Sequence, residues 1–124
     1  MPKRCAWIVI DHGSRQAEAN EIVVELAREI QQRRPEIIVT HAHMEIASPA
    51  LDEAVVACME RGAEEILVLP HFLSPGRHTQ ETIPEQVATL AGHHPALTFK
   101  IADPLGAHPG LVDILCERAA KYST

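Results

Sequence analysis

The stretch EILVLPHFLSPGRHTQETIPEQV, residues 65–87, decides how this chain folds. Its first five residues are almost entirely apolar, which is typical of a strand buried on both faces of a parallel sheet. A loop with two histidines and an arginine follows, and a helix is predicted to begin near Pro84. In open α/β folds, ligands bind at the carboxyl ends of the strands. The stretch therefore predicts a strand–loop–helix unit whose loop is suited to a functional site.

Three similar strand–helix units occupy the rest of the chain. Strands are predicted over 5–11, 37–46 and 97–102, and each is followed by a segment of helical periodicity. Alternating strands and helices imply right-handed crossovers and a parallel sheet that helices cover on both faces. We therefore predict one α/β domain over 1–124, a flavodoxin-like three-layer sandwich with a four-stranded parallel sheet.

Apolar stripes predict which side of each helix is buried. Ser14 is expected to cap the first helix, Ser48 and Pro49 to begin the second, and Gly62 to end it. The residues expected to face the sheet are, in chain order, Ile22, Val23, Leu26, Ala27 and Ile30; Leu51, Ala54, Val55 and Cys58; Val87, Leu90 and Ala91; and Leu111, Ile114 and Leu115.

Composition argues against several classes of partner. The net charge is −6, aromatic residues make up 3% of the chain, and lysine and arginine form no block. Nucleic acid and anionic membranes are therefore poor partners. No apolar stretch approaches the length of a membrane span. Asp11 and His12 limit the first apolar run to six residues, below the roughly 7–15 of a signal-peptide core.

The three cysteines, Cys5, Cys58 and Cys116, are far apart and each falls in an apolar pattern. This usage is typical of buried, reduced thiols rather than of a disulfide or a thiolate metal site. We therefore expect a cytoplasmic protein.

The loops after the four predicted strands deliver imidazole and carboxylate groups to one edge of the sheet. These groups are His12, Glu45, His71, His78 and His108. Their convergence exceeds what folding needs and indicates a site that handles a metal ion or transfers protons. For His12, a helix-entry role in which the backbone satisfies the imidazole remains an alternative, because Asp11-His12-Gly13-Ser14 also resembles an ordinary tight turn.

Other candidate residues have ordinary explanations beside the functional ones. His41, His43 and Glu45 alternate along the second strand and are expected to face one side. His-x-His invites a zinc interpretation, but a third ligand is missing from the motif. Arg15 and Arg77 each adjoin a candidate histidine and are either solvated or bidentate binders of carboxylates.

Five elements together resemble the sirohydrochlorin chelatase family of the CbiX/SirB type. They are His12-Gly13-Ser14-Arg15, Glu45 followed by Pro49, Pro70-x-Phe72-Leu73-x-x-Gly76-x-His78, Ile83-Pro84 and Leu105-Gly106-x-His108-Pro109. They occur in order over essentially the whole chain. The resemblance is to the short, single-domain form, and it implies a chelatase-like version of the predicted sandwich.

The resemblance implies roles for particular residues. His12 and His78 match the metal-binding histidines of the family, and Glu45 matches the acidic residue of the same site. Substrate contacts are expected from Ser14, Arg15, His43, His71, Gly76 and Arg77. The family usually has an aspartate immediately before Ile83-Pro84, whereas this chain has Thr82 there and Glu81 one position earlier.

The implied activity is insertion of Co²⁺ into sirohydrochlorin, a polycarboxylate tetrapyrrole, with release of two protons and no permanently bound cofactor. A homodimer is implied as well, because one small domain offers a single wall for so wide a ligand. Ferrochelatase and nickel chelatase activities are alternatives, since imidazole and carboxylate ligands suit all three ions. A non-catalytic metal or tetrapyrrole carrier and, less economically, a hydrolase built on His41 and His43 also remain open.

Overall fold

The apolar strands pair in one parallel sheet, as the alternation of strands and helices predicts. A computed structural model describes residues 3–74 and 76–122, apart from the side chains of His78 and Thr79. Its strands lie in the order β2-β1-β3-β4, which confirms the predicted four-stranded α/β sandwich. The elements are, in chain order, β1 (Cys5–Asp11), α1 (Ala17–Arg33), β2 (Ile38–His43), α2 (Leu51–Glu60), β3 (Glu65–Pro70), a π-helical turn (His78–Thr82), α3 (Ile83–His93), β4 (Thr98–Ile101) and α4 (Pro109–Ala120).

Each face of the sheet has its own apolar core because successive side chains of a strand point to opposite faces. The larger core joins the sheet to α2 and α3 and includes Ala6, Ile8, Ile10, Leu51, Val55, Ile66, Val68, Ile83 and Leu90. The smaller core joins β1 and β2 to α1 through Val9, Val23, Ala27 and Val39. The stripe predicted for α2 is fully buried, whereas Ile22 of the α1 stripe is exposed.

Strand β2 is shorter than predicted because the chain turns away from the sheet directly after Met44. Ile46 has a positive φ of 74°, and the loop returns so that the His43 N–H donates to the carbonyl of Pro49 at 2.9 Å. The predicted start of α2 is therefore wrong: Pro49 lies outside the helix, and the carboxylate of Glu53 accepts from the N–H of Ala50 at 2.9 Å. Gly62, with φ 94°, ends the helix as predicted.

Helix α4 packs less than its sequence predicts. Ile114 and Leu115 are 47% and 68% exposed, and none of the described α4 side chains is fully buried. The preceding strand, β4, is a four-residue edge strand, so it offers little sheet surface to cover. Helices α4 and α1 border a largely apolar cavity of about 530 Å³. Within the part of the chain that the structure describes, no helix has the length and hydropathy of a membrane span.

The cysteines are expected to differ sharply in reactivity. Cys58 is buried in the larger core and its pKa is raised to about 11 by burial, whereas Cys116 is exposed on α4, contrary to its predicted burial. Because the thiolate is the reactive form, a thiol reagent at about pH 8 is expected to label Cys116 quickly and Cys58 only after unfolding. Timed labelling and mass spectrometry measure this. Equal rates at both cysteines in the folded protein would contradict the packing of α2.

Candidate metal-handling site

The carboxyl ends of β1 and β2 bring two predicted site residues together. Backbone pairing continues past both strands, because the Met44 N–H donates to the carbonyl of Asp11 at 2.8 Å and the Glu45 N–H donates to that of His12 at 3.1 Å. His12 and Glu45 therefore occupy matching positions on adjacent loops. Their side chains stand at the sheet edge where open α/β folds bind ligands.

His12 and Glu45 form a solvent-accessible imidazole–carboxylate pair. The His12 Nε2 lies 3.2 Å from the Glu45 Oε1, and the two side chains are 44% and 53% exposed. The His12 Nδ1 lies 3.3 Å from the carbonyl oxygen of Gly13. The pair thus combines one nitrogen and one oxygen donor at a position that a dissolved ion can reach.

Gly13 is required at its position by the close approach of the two loops. It adopts a φ of +94°, and a Cβ atom added there would lie only 1.9 Å from the carbonyl oxygen of Glu45. No side chain fits at that separation, so only glycine lets the His12 loop pack directly on the backbone of Glu45. The short His-Gly-Ser sequence therefore has a steric reason as well as a chemical one.

The sequence predicts that Ser14 caps α1, whereas in the structure Ser14 belongs to the loop that precedes the helix. The Ser14 N–H donates to the Asn20 Oδ1 at 2.9 Å, and the Asn20 Nδ2 donates back to the Ser14 carbonyl at 2.8 Å. Asn20 therefore fixes the end of the His12 loop from the first turns of α1. The sequence prediction missed Asn20, although asparagine is known to bond nearby backbone in this way. Arg15, the next residue, is exposed.

Asp11 and His43, the last residues of β1 and β2, form a second imidazole–carboxylate pair. The His43 Nδ1 lies 2.6 Å from the Asp11 Oδ1, and His43 is 1% exposed. The prediction that His43 contacts the substrate directly does not fit this burial, because a side chain packed under the loop presents no surface to a bound ligand. A hydrolase built on His41 and His43 gains no support, because His43 is buried and, among the described residues, no third ligand is grouped with the two histidines.

The loop that leads into the π-helical turn carries three further residues predicted for the site, Gly76, Arg77 and His78. The carbonyl of Gly76 accepts from the Gln80 N–H at 2.8 Å, and the exposed Arg77 Nε donates to the Glu81 Oε2 at 3.2 Å. The His78 side chain lies outside the described residues, so its role as a metal ligand stays a prediction. Turns of this kind are found preferentially at functional sites.

His71 and His108 line a common cavity. Both line the cavity between α1 and α4 together with Asp103, and the described lining of that cavity includes neither His12 nor Glu45. The His108 Nδ1 accepts from the Gly110 N–H at 2.9 Å, so this imidazole caps α4. His71 itself follows the end of β3 beside β1, where its N–H donates to the carbonyl of Ile10 at 2.7 Å, so its backbone lies close to the start of the His12 loop.

His41 is expected to make stability depend on pH. Its pKa lies below the ordinary value of 6.5, first because partial burial disfavours the charged ring and second because His43 is close; Asp11 and Glu21 oppose this shift without reversing it. The unfolded chain therefore binds the proton more readily, so the stabilisation is complete above about pH 6.5 and is lost as the pH falls toward the lower folded-state pKa.

Urea denaturation at about pH 7.5 and about pH 5.5 measures this effect, since these values bracket the ordinary pKa of histidine. The free energy of unfolding is expected to fall further in the wild type than in His41→Gln, which has no titrating group at this position. Equal falls in the two proteins would contradict the assignment to His41.

The described side chains do not by themselves form a closed metal site. Among residues 3–74 and 76–122 without the side chains of His78 and Thr79, no three His, Cys, Asp or Glu residues are grouped to hold an ion. The His12–Glu45 pair can supply two ligands to a divalent ion or accept protons from a bound molecule.

This chain is similar to known proteins in both sequence and fold. The family model CbiX matches residues 6–122. The chloroplastic sirohydrochlorin ferrochelatase of Arabidopsis thaliana is 37% identical over 90% of this chain, which spans only 49% of that protein's length. The sirohydrochlorin cobaltochelatase of Sulfolobus acidocaldarius is 35% identical over 92% of this chain and 89% of its own length. A CbiX protein from Marinobacter aquaeolei VT8 superimposes with a TM-score of 0.80 at 29% identity, covering 96% of this chain and 99% of its own.

Proposed function

This chain belongs to the CbiX family of sirohydrochlorin chelatases, and on that premise we propose that it inserts Co²⁺ into sirohydrochlorin. The domain over 1–124 performs the reaction without a permanently bound cofactor, and the metal ion is a substrate. The single observation that carries the proposal is the His12–Glu45 pair, with 3.2 Å between its nitrogen and oxygen at the edge of the sheet. Relatives named cobaltochelatases match this chain over most of their own length, which favours cobalt.

The first step is capture of the ion. The His12 Nε2 and the Glu45 Oε1 replace two waters of hydrated Co²⁺, and His78 is the predicted third ligand. Imidazole and carboxylate suit Co²⁺, Fe²⁺ and Ni²⁺, whereas thiolates bind softer ions and hold them more tightly. A ligand set without thiolates therefore allows the ion to leave for the macrocycle.

The second step exchanges the metal for two protons. As Co²⁺ forms bonds to the pyrrole nitrogens, two N–H bonds break and their protons must be accepted. The imidazole of His12 and the carboxylate of Glu45 are both freed as the metal transfers, and both are accessible to solvent. Imidazole and carboxylate groups can take up protons and pass them to water.

Substrate binding requires local positive charge, because the chain carries a net charge of −6 and sirohydrochlorin is a polycarboxylate. Arg15 follows the His12 loop and is exposed, and Arg77 is exposed on the His78 loop. We assign both to the acidic side chains of the substrate, since guanidinium binds carboxylates in a bidentate manner. Arg77 has to exchange Glu81 for the substrate, which an exposed ion pair allows at little cost.

Purified protein is to be mixed anaerobically with sirohydrochlorin and Co²⁺, Fe²⁺ or Ni²⁺ in turn, with insertion followed by absorbance. Acceleration above the uncatalysed rate is expected, and it should be greatest with Co²⁺. If no metal gives acceleration while the protein still binds Co²⁺ or the tetrapyrrole, the chelatase proposal is wrong and the protein is a carrier.

Iron is the second candidate substrate. The relative with 37% identity is named a ferrochelatase, and the His12–Glu45 ligand set does not separate Fe²⁺ from Co²⁺. A higher kcat/KM for Fe²⁺ than for Co²⁺ in the same assay would assign the enzyme to iron.

We further propose a cytoplasmic homodimer in which the two sheet edges that carry His12 and Glu45 face each other. Relatives about twice as long as this chain contain two such lengths of sequence, and a second copy would provide the opposite wall for the macrocycle. Exposed apolar residues of α4, such as Val112 and Leu115, offer surface for association. Sedimentation velocity is expected to show a species of about 27 kDa, twice 13.6 kDa. A 13.6 kDa species at the assay concentration would refute the dimer.

A further inference from the structure

The buried Asp11–His43 pair has no direct role in the reaction proposed above. Its Nδ1–Oδ1 distance is 2.6 Å, and the two side chains are 2% and 16% exposed, so the contact is shielded from water. A carboxylate is acceptor-only when ionised, so the imidazole donates its Nδ1–H to Asp11. Short hydrogen bonds to a charged group are among the strongest in proteins.

The pair connects the two loops that carry His12 and Glu45. Asp11 and His43 are the last residues of β1 and β2 and lie directly opposite each other in the sheet. His12 follows Asp11 immediately, and Glu45 comes two residues after His43. The hydrogen bond therefore joins the strand ends at the level from which both loops leave the sheet.

The loop that carries Glu45 needs such an anchor. Ile46 adopts a φ of +74°, a backbone conformation that is unfavourable for a β-branched residue. The Gly13 backbone packs against the Glu45 carbonyl, and the His43 N–H holds the returning loop through Pro49. A strained segment persists only where its surroundings hold it in place. The side chain and the backbone of His43 both contribute to that restraint.

We propose that Asp11 and His43 are positioning residues that set the separation of His12 and Glu45 for metal capture. The inference rests on the proposed function, because it assigns the captured ion to that pair. Loss of the hydrogen bond lets the two loops move independently, so the two ligands no longer meet an ion together. Arg15 follows Ser14, which Asn20 fixes to α1, and Arg77 lies on another loop, so contacts to the tetrapyrrole through these two arginines do not depend on this bond.

The test compares two substitutions of His43. His43→Phe fills the space but removes the donor, whereas the Nδ2 of His43→Asn occupies nearly the position of the imidazole Nδ1 and can still donate to Asp11. His43→Phe is expected to raise both the Kd for Co²⁺ and the KM for Co²⁺ about 10-fold, at the lower end of the effect of residues that support metal ligands. The KM for sirohydrochlorin is expected to stay unchanged, and His43→Asn should restore most of the Co²⁺ affinity.

Asp11 provides an independent pair of variants should His43→Phe fail to fold. Asp11→Ala removes the acceptor, and Asp11→Asn keeps an oxygen that accepts from the His43 Nδ1–H. Asp11→Ala is expected to weaken Co²⁺ binding about 10-fold and Asp11→Asn by much less. Thermal unfolding of each variant separates loss of the fold from loss of positioning.

The inference is wrong if Co²⁺ binds His43→Phe as tightly as the wild type. It is also wrong if His43→Phe and His43→Asn lose affinity equally, because a donor would then have no effect. Co²⁺ binding is measured by titration without tetrapyrrole. If the wild type binds Co²⁺ but does not insert it, the proposed function is wrong. The positioning role is then still decided by the Co²⁺ affinities of the variants.

Discussion

His12→Ala is expected to lower kcat/KM for Co²⁺ insertion by about 100-fold or more, at the lower end of what a positioned proton-transferring group contributes. The substitution removes the Nε2 that lies 3.2 Å from Glu45, so one carboxylate remains on this side of the site. Ion capture and proton uptake are both expected to become slower, because the imidazole is proposed to bind the ion and to accept a proton. The side chain is 44% exposed, so its removal should leave the fold intact.

His93→Ala is the matched control, because His93 is an exposed histidine at the end of α3 and outside the proposed machinery. It should insert Co²⁺ at the wild-type rate. Stopped-flow absorbance with varied Co²⁺ gives kcat and KM for each variant. Unchanged kcat/KM in His12→Ala would show that the site is wrongly assigned. The same assay on His78→Ala tests the predicted ligand from the other loop.

Gly13→Ala is expected to destabilise the fold and to separate His12 from Glu45. The positive φ alone costs roughly 1–2 kcal/mol for an L-residue. The new Cβ would lie 1.9 Å from the Glu45 carbonyl oxygen, so the loops must also move apart. We expect urea denaturation to show a loss above 2 kcal/mol, within the usual range for strain at a special backbone position, together with a loss of Co²⁺ affinity.

Gly62→Ala is a closely matched control for the backbone cost. Gly62 has the same φ of +94°, but the nearest atom to an added Cβ is the flexible Arg4 Cδ at 3.7 Å. Gly62→Ala should therefore lose stability through the backbone alone and should bind Co²⁺ normally. If the two variants lose the same stability and both keep Co²⁺ affinity, the close packing of Gly13 on Glu45 is not important for the site.

The general fold follows from local patterns in the sequence. Continuous apolar runs such as Cys5–Asp11 and Glu65–Pro70 form strands, and the stripe from Leu51 to Cys58 forms a buried helix face. Side-chain periodicity reports burial directly, so these elements were predictable. The order β2-β1-β3-β4 was not, because it depends on which strands pair over long sequence separations.

Tertiary packing also decided where several predicted elements end. Ser48 and Pro49 have the residue types that begin helices, but the chain uses them in a loop that returns to His43. Helix α4 has an apolar stripe without an equivalent surface to cover. In both places local propensity is a weak preference that the surrounding structure overrides.

By itself, the sequence determined that His12 and Glu45 lie at the carboxyl edge of a parallel sheet, because each follows an apolar strand in a series of strand–helix units. The tertiary structure alone decided that these two side chains meet at 3.2 Å, that His43 contacts Asp11, and that His71 and His108 line the cavity between α1 and α4. The reason is physical. Periodicity fixes the face on which a side chain begins, whereas strand register, the close contact at Gly13 and the reversal at Ile46 fix which side chains touch.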